Sequence, residues 1–199
     1  MLKPLAKAAA DNDNIHAIIK GTALNHVGKS NNPTSPRPEL QTKVLVNAWK
    51  DAGVDPGTIT YIEAHGTGTI LGDPIEVNAL KEAVRPFTTR RGYCALGTVK
   101  SHLGHLEGAA GIAGVIKTIL SMKNKRIPAM PNYKEINPYI KLEDSPYYIN
   151  REPQPWEPSA GESLRAGVSS FGMSGGNTHV VLESYTPAPR QTGHTPGET

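Results

Sequence analysis

Along this chain, short runs rich in β-branched residues alternate with stretches whose apolar positions recur every three or four residues. That is the pattern of strands alternating with helices. Ile15 to Ala23 predicts a strand, and Asn25 to Pro38, with Gly28, Asn31, Asn32, Pro33, Pro36 and Pro38, predicts a loop. From Glu39 to Ala52 the apolar residues Leu40, Val44, Leu45, Ala48 and Trp49 share one stripe, which predicts an amphipathic helix, and Gly53 sits where its C-cap belongs. Thr60 to Ala64 predicts a second strand running directly into a Gly/Thr turn, His65 to Thr69. A helix is expected from Pro74 to Val84, with Asp73 as N-cap and Pro74 at its first position. Cys94 to Val99 predicts a third strand.

Glu107 to Lys123 predicts a helix with Ile112, Val115, Ile116, Ile119 and Leu120 as its apolar content. Gly108, Gly111 and Gly114 recur along it at a cost in helix propensity, so something is expected to approach it closely. Residues 124–163 are proline-rich and irregular, and predict a covering segment with short strand pieces such as Tyr147–Ile149. Tyr147, Tyr148 and Trp156 are expected to cover the core. Arg165 to Phe171 and Thr178 to Glu183 predict a closing strand pair. The alternation argues for an α/β fold with a layered core in one domain, residues 1–185, followed by an unstructured Pro/Gly/Thr-rich tail, residues 186–199.

Composition narrows the function classes. With 37% hydrophobic and 20% charged residues, the 199-residue chain can bury a core and stay soluble. A net charge of +3, from 21 basic and 18 acidic residues without a basic cluster, gives no case for nucleic acid. No run approaches the roughly 18 apolar residues of a membrane helix, and the N-terminus lacks the apolar core of a signal peptide, so a cytoplasmic chain is expected. The single cysteine, Cys94, lies in a strand-like run and reads as a small core hydrophobe rather than a nucleophile.

Two histidines stand out by position. His65 follows a strand on a glycine-flanked turn, and His105 lies shortly after a strand at the start of the small-residue helix, 105 − 65 = 40 residues later. Strand-to-helix junctions at the carboxyl edge of an open sheet are where ligands bind. Two neutral imidazoles converging on one oxygen would stabilise an enolate or oxyanion, as carbon–carbon bond formation beside a thioester requires. The plainer alternatives are that His65 satisfies a turn carbonyl and His105 caps a helix. A zinc site from His102, His105, Asp73 and Glu107 lacks an HExxH pattern or a cysteine cluster. Gly97 to Ser101 lacks phosphate-loop spacing. His16, His26, His179 and His194 have no convergent neighbours in sequence and read as structural or surface residues.

Four segments resemble the β-ketoacyl synthase family, specifically the ketosynthase domains of modular polyketide synthases. Glu63-Ala64-His65-Gly66-Thr67-Gly68-Thr69 with Leu71-Gly72-Asp73-Pro74-Ile75-Glu76 resembles that family's EAHGTGTxxGDPIE motif, and Lys100 to Glu107 resembles KSNxGHxE. Gly167 to Gly172 resembles GVSSFG, and Asn177 to Glu183 resembles NAHVVLE. The wording from Tyr133 to Pro138 resembles acyltransferase-less bacterial assembly lines. The resemblance implies the C-terminal half of a thiolase-like fold, an acyl-transferring condensing enzyme, and a decarboxylative Claisen condensation. It implies that His65 and His105 are the active-site histidines, that Lys100 supports the second histidine, and that Glu107 is the charge partner of Lys100. Asp73 would be a supporting residue of the site. Thr67 and Thr69 would contact the phosphopantetheine arm of an acyl carrier protein, no cofactor being bound directly, and Phe171 would lie beside the nucleophile. The family is homodimeric.

The chain departs from the family pattern at three points. The TACSS-type nucleophile turn of the first half is absent, and the chain's first residues match the family midway through the fold. His102 replaces the usual asparagine, and Ser174-Gly175-Gly176 alters a loop. The expectation is therefore of a ketosynthase half, inactive alone, whose partners are a cysteine-bearing N-terminal half and a carrier protein. The alternatives are a non-catalytic fragment and a structural or docking module. A half-fold should expose a large apolar face where the other half packs.

Overall fold

A computed structural model describes residues 1–28, 36–158 and 161–187. Four helices of more than one turn, α1 (Leu5–Ala10), α2 (Pro38–Ala52), α3 (Gly72–Val84) and α5 (Ala110–Asn124), accompany the one-turn helix α4 (Lys100–Leu103). The strands are β1 (Ile18–His26), β2 (Tyr61–Glu63), β3 (Cys94–Gly97), β4 (Arg126–Ile127), β5 (Tyr147–Ile149), β6 (Gln154–Pro155), β7 (Arg165–Phe171) and β8 (Gly176–Glu183). Six of them form one mixed sheet in the order β1-β8-β7-β2-β3-β5, and β4 and β6 make a separate two-stranded ribbon. The α/β expectation holds.

The topology decides where the site can be. β2 is parallel to both β3 and β7, with Tyr61 opposite Ala95 on one side and Ala166 on the other. The carboxyl ends of all three strands therefore reach the same edge. Each of the turns after them starts there: the Gly/Thr turn after β2, α4 after β3, and the hairpin from β7 into β8. Cys94 begins β3, at the opposite edge.

Alternation along β2 builds two cores. Ile62 faces a cluster with Leu45, Trp49 and Leu80 from α2 and α3, while Tyr61 faces a second cluster with Met122, Trp156 and Leu164 on the α5 side. Both α2 and α3 cover the first face. α2 comes so close to β1 that a Cβ on Gly21 would strike the backbone of Ala52. Gly53 closes α2 at φ 61°, the left-handed conformation expected of a C-cap glycine. On the other face α5, with the β4–β6 ribbon beside it, turns an apolar stripe outward: Ile112, Ile116 and Leu120 are 58%, 52% and 51% exposed. Leu103 and Leu106 extend that stripe, and a cavity of about 590 Å³ opens between α4 and α5. This is the exposed apolar face expected of a half-fold.

Several boundaries differ from the sequence reading. β1 continues to His26, so the loop is shorter than Asn25–Pro38, and residues 29–35 of it lie outside the described residues, as do residues 188–199 of the tail and His194. The α3 helix begins at Gly72, ahead of the expected start, because Asp73 does not cap it. The Asp73 carboxylate instead turns back to accept the N–H of Gly68 at 3.1 Å. The Cys94–Val99 run splits, since Val99 already has helical dihedrals (φ −63°, ψ −23°) and starts α4. The Glu107–Lys123 helix becomes a 3₁₀ turn, Glu107–Ala109, followed by α5, because Glu107 takes a positive φ of 49°. The β7 bounds and the Tyr147–Ile149 strand match expectation, and Trp156 is buried with its Nε1 donating to Thr60 Oγ1 at 2.9 Å.

Candidate active site

The Gly/Thr turn is held from beneath by one carboxylate. Glu76, on the buried face of α3, accepts the N–H of His65 on Oε1 at 2.7 Å and the N–H of Gly66 on Oε2 at 2.9 Å. Complete burial pushes its carboxyl up to about 7, against the lowering effect of those two amides. Gly66 and Gly68 take positive φ of 46° and 75°, which lets the chain double back within the turn. The Thr67 and Thr69 hydroxyls lie 3.2 Å apart on its rim. Asp73 faces the same turn, its carboxyl raised by burial.

His65 lies 5.7 Å from His105, ring centroid to ring centroid, with the planes nearly perpendicular, and 5.4 Å from the Phe171 ring. The parallel pairing of β2 with β7 delivers Phe171 to this spot. The Phe171 N–H donates to His65 Nδ1 at 3.3 Å, and the Glu107 N–H donates to His105 Nδ1 at 2.9 Å. A nitrogen that accepts an amide proton carries none of its own, so the neutral form of either ring has its proton on Nε2. Burial, then the Lys100 ammonium, then His105, hold His65 down at about 4, so it is neutral near pH 7. His105 is exposed on the open side of the site.

Lys100 is placed differently from expectation. Its Nζ donates to the His65 carbonyl at 2.5 Å and lies 3.4 Å from His65 Nδ1, so it supports the first histidine rather than the second. Burial lowers its ammonium, while Glu76, Glu63 and Asp73 raise it. Glu107 is not its partner. That side chain points out of a positive-φ turn, is exposed, and makes no ion pair among the described residues. His102 is exposed beside Ser101 and Thr98. No group of three metal-ligating side chains occurs among the described residues, and no helix there is long and apolar enough to cross a membrane. Cys94 is 1% exposed, and burial raises its thiol far above the usual range.

Sequence reasoning missed the carboxylates beneath the site. Glu76 falls on the apolar, buried side of α3, and Glu63 sits inside a strand buried at every position. An acid at a core-facing position must find donors, so the pattern could flag these two acids, though not the partners they would find.

Comparison with known proteins shows the family. The family description "Beta-ketoacyl synthase, C-terminal domain" matches residues 16–134, and "Ketoacyl-synthetase C-terminal extension" matches residues 137–198. The chain belongs to the β-ketoacyl synthase family, as its C-terminal domain. Within that family it is similar to polyketide synthases. It is 47% identical to polyketide synthase PksN of Bacillus subtilis over 97% of this chain and 4% of that protein. It is 48% identical to polyketide synthase ThaG of Burkholderia thailandensis over 93% of this chain and 3% of that protein. Among solved structures, the ketosynthase from module 6 of the bacillaene synthase from Bacillus subtilis 168 superposes with a TM-score of 0.90 at 43% identity, covering 93% of this chain and 33% of that one. The fold is thus that of the C-terminal part of a thiolase-like ketosynthase. The chain spans about a third of the solved ketosynthase it matches and a small fraction of its curated relatives.

Proposed function

We propose that this chain supplies the decarboxylation and enolate-stabilising half of a polyketide ketosynthase, an acyltransferase that performs decarboxylative Claisen condensation. The observation that carries this reading is the pair of rings 5.7 Å apart, each with Nδ1 occupied by a backbone N–H and each therefore offering an Nε2–H donor. In the reaction, an acyl group rests as a thioester on a cysteine of the nucleophile-bearing part, which the partner half provides. A malonyl-type extender on the phosphopantetheine arm of an acyl carrier protein loses carbon dioxide, and its electron pair passes to the thioester oxygen. His65 and His105 donate to that oxygen and hold the enolate. The enolate carbon attacks the cysteine thioester, a carbon–carbon bond forms, the carbon–sulfur bond breaks, and the thiolate leaves. Lys100 fixes the His65 turn and adds positive charge to the site. The Thr67 and Thr69 hydroxyls bind the arm, Phe171 packs beside His65, and Asp73 braces the turn.

The outward stripe Ile112, Ile116 and Leu120, with Leu103, is where the nucleophile-bearing half would pack. The working enzyme would be a homodimer. Alone, the chain transfers no acyl group, since its only thiol is sealed in the core. Co-expression with a cysteine-bearing N-terminal half tests this. A stable complex that decarboxylates malonyl-carrier and condenses it is expected, with His65→Ala lowering the decarboxylation rate about a hundredfold to a thousandfold. The absence of both complex and condensation would overturn the reading, as would acylation of Cys94 seen by mass spectrometry.

A further inference from the structure

Beneath the histidines lies a buried ion pair that the chemistry above does not use. Glu63 ends β2, two residues before His65, and its side chain is 2% exposed. Its Oε2 accepts the Tyr61 hydroxyl at 2.6 Å and the Lys117 ammonium, from α5, at 2.8 Å; Lys117 also donates to the Tyr61 hydroxyl at 2.8 Å. Its Oε1 accepts the N–H of Val99. Two glycines make room for the cluster. A Cβ on Gly114 would press on Glu63 Cγ at 3.1 Å, and one on Gly97 would collide with the Tyr61 hydroxyl. The close approach expected from the glycine series is therefore partly this one: Gly114 meets Glu63 and Gly111 meets Ser170, while Gly108, in the 3₁₀ turn, meets nothing among the described residues.

Val99 is the hinge of the arrangement. Its carbonyl accepts the N–H groups of His102 at 2.9 Å and Leu103 at 3.0 Å, so it founds α4. α4 begins with Lys100, which reaches His65, and two residues beyond its end the chain arrives at His105. One carboxylate thus ties the His65 strand, the Lys100 helix and, through Lys117, the helix that follows His105. Burying such a pair is a poor route to stability, because desolvation offsets the attraction and an apolar replacement is often neutral.

We infer that Glu63 is a positioning residue for the two histidines, acting through its tether to Val99 with Lys117 and Tyr61 holding the carboxylate in place. The inference rests on the ketosynthase reading. The chemistry is sensitive to such a tether, because displacing a reacting group by an ångström can cost on the order of a hundredfold in rate.

The test uses the full-length enzyme carrying this domain and its nucleophile-bearing part, with acyl loading of the cysteine and decarboxylation of malonyl-carrier measured separately. Two double variants remove the ion pair equally. Glu63→Gln with Lys117→Met keeps an oxygen for the Val99 N–H, whereas Glu63→Met with Lys117→Met does not. The glutamine variant is expected to decarboxylate within about threefold of wild type, and the methionine variant about a hundredfold more slowly. Acyl loading and the KM for malonyl-carrier should stay within about threefold in both, and rescue by glutamine is the signature of the tether. Equal decarboxylation by the two, or a loss shared equally by loading, would overturn the inference. Should the methionine variant fail to fold, Glu63→Asp serves. That side chain keeps the charge but not the reach, and about a tenfold loss in decarboxylation is expected, with an unchanged rate counting against the inference. His65→Ala in the same assay separates the two claims. If it leaves decarboxylation intact, the ketosynthase reading fails; if it abolishes decarboxylation while the Glu63 variants behave alike, only the tether fails.

Discussion

The two faces of the one sheet are finished differently. The face under α2 and α3 is closed: Leu45, Ala48 and Leu80 are at most 1% exposed, and even a polar ring, His179, is sealed there with no exposed surface. The face under α5 is closed only on its inner side, and the helix turns Ile112, Ile116 and Leu120 outward, each about half exposed. An apolar stripe left on the outer side of a helix marks a surface where something else can pack. The difference separates a closed core that stabilises this domain from an exposed apolar face, the one proposed above to receive the nucleophile-bearing half.

Mutations should reproduce that contrast. The largest expected effect is in the closed layer, where Leu80→Ala should cost about 2–5 kcal/mol in a denaturant melt. A loss under about 1 kcal/mol would mean that the layer is looser than its burial suggests. Next comes pH. Burial holds His179 down at about 3, against 6.5 when exposed, and its Nε2 has no partner among the described residues. The unfolded chain takes up that proton first. Stability should therefore decline as pH falls below about 6.5, at up to about 1.4 kcal/mol per pH unit, and level off near 3. His65, lowered to about 4, contributes a slope of the same sign. His179→Gln should flatten the slope; an unaltered slope would assign it to other groups. The smallest effect on stability is expected in the open layer. Ile116→Glu should change the melt by less than about 0.5 kcal/mol while lowering apolar-dye binding and blocking complex formation with the nucleophile-bearing half. A destabilisation matching that of Leu80→Ala would erase the distinction between the layers.

Much of this was legible from residue order. The period-two and period-3.6 patterns placed β7 and β5 at their observed bounds and α2 within one residue, because those elements are regular and carry clear end signals such as Gly53. The two histidines and Phe171 were found through their motifs, and parallel pairing brings them together. What escaped depends on dihedrals and on long-range contacts. Glu107 looked like a helix-starting acid, yet its positive φ sends its side chain outward and commits its N–H to His105. Lys100 was assigned to the histidine nearer in sequence, although the sheet sets it against the one 35 residues away. Asp73 had the position of a cap but serves the preceding turn. Glu63, Glu76 and Lys117 were not singled out, because partners 11 and 54 residues distant have no period to betray them.

The amide protons lodged against both Nδ1 atoms have a kinetic consequence. A ring that keeps one nitrogen permanently engaged by the main chain cannot take a proton on one side and pass it out on the other. In the proposed mechanism neither histidine works as a relay, and turnover should proceed without either ring changing tautomer. The site would work like a fixed electrical socket, waiting for negative charge to arrive.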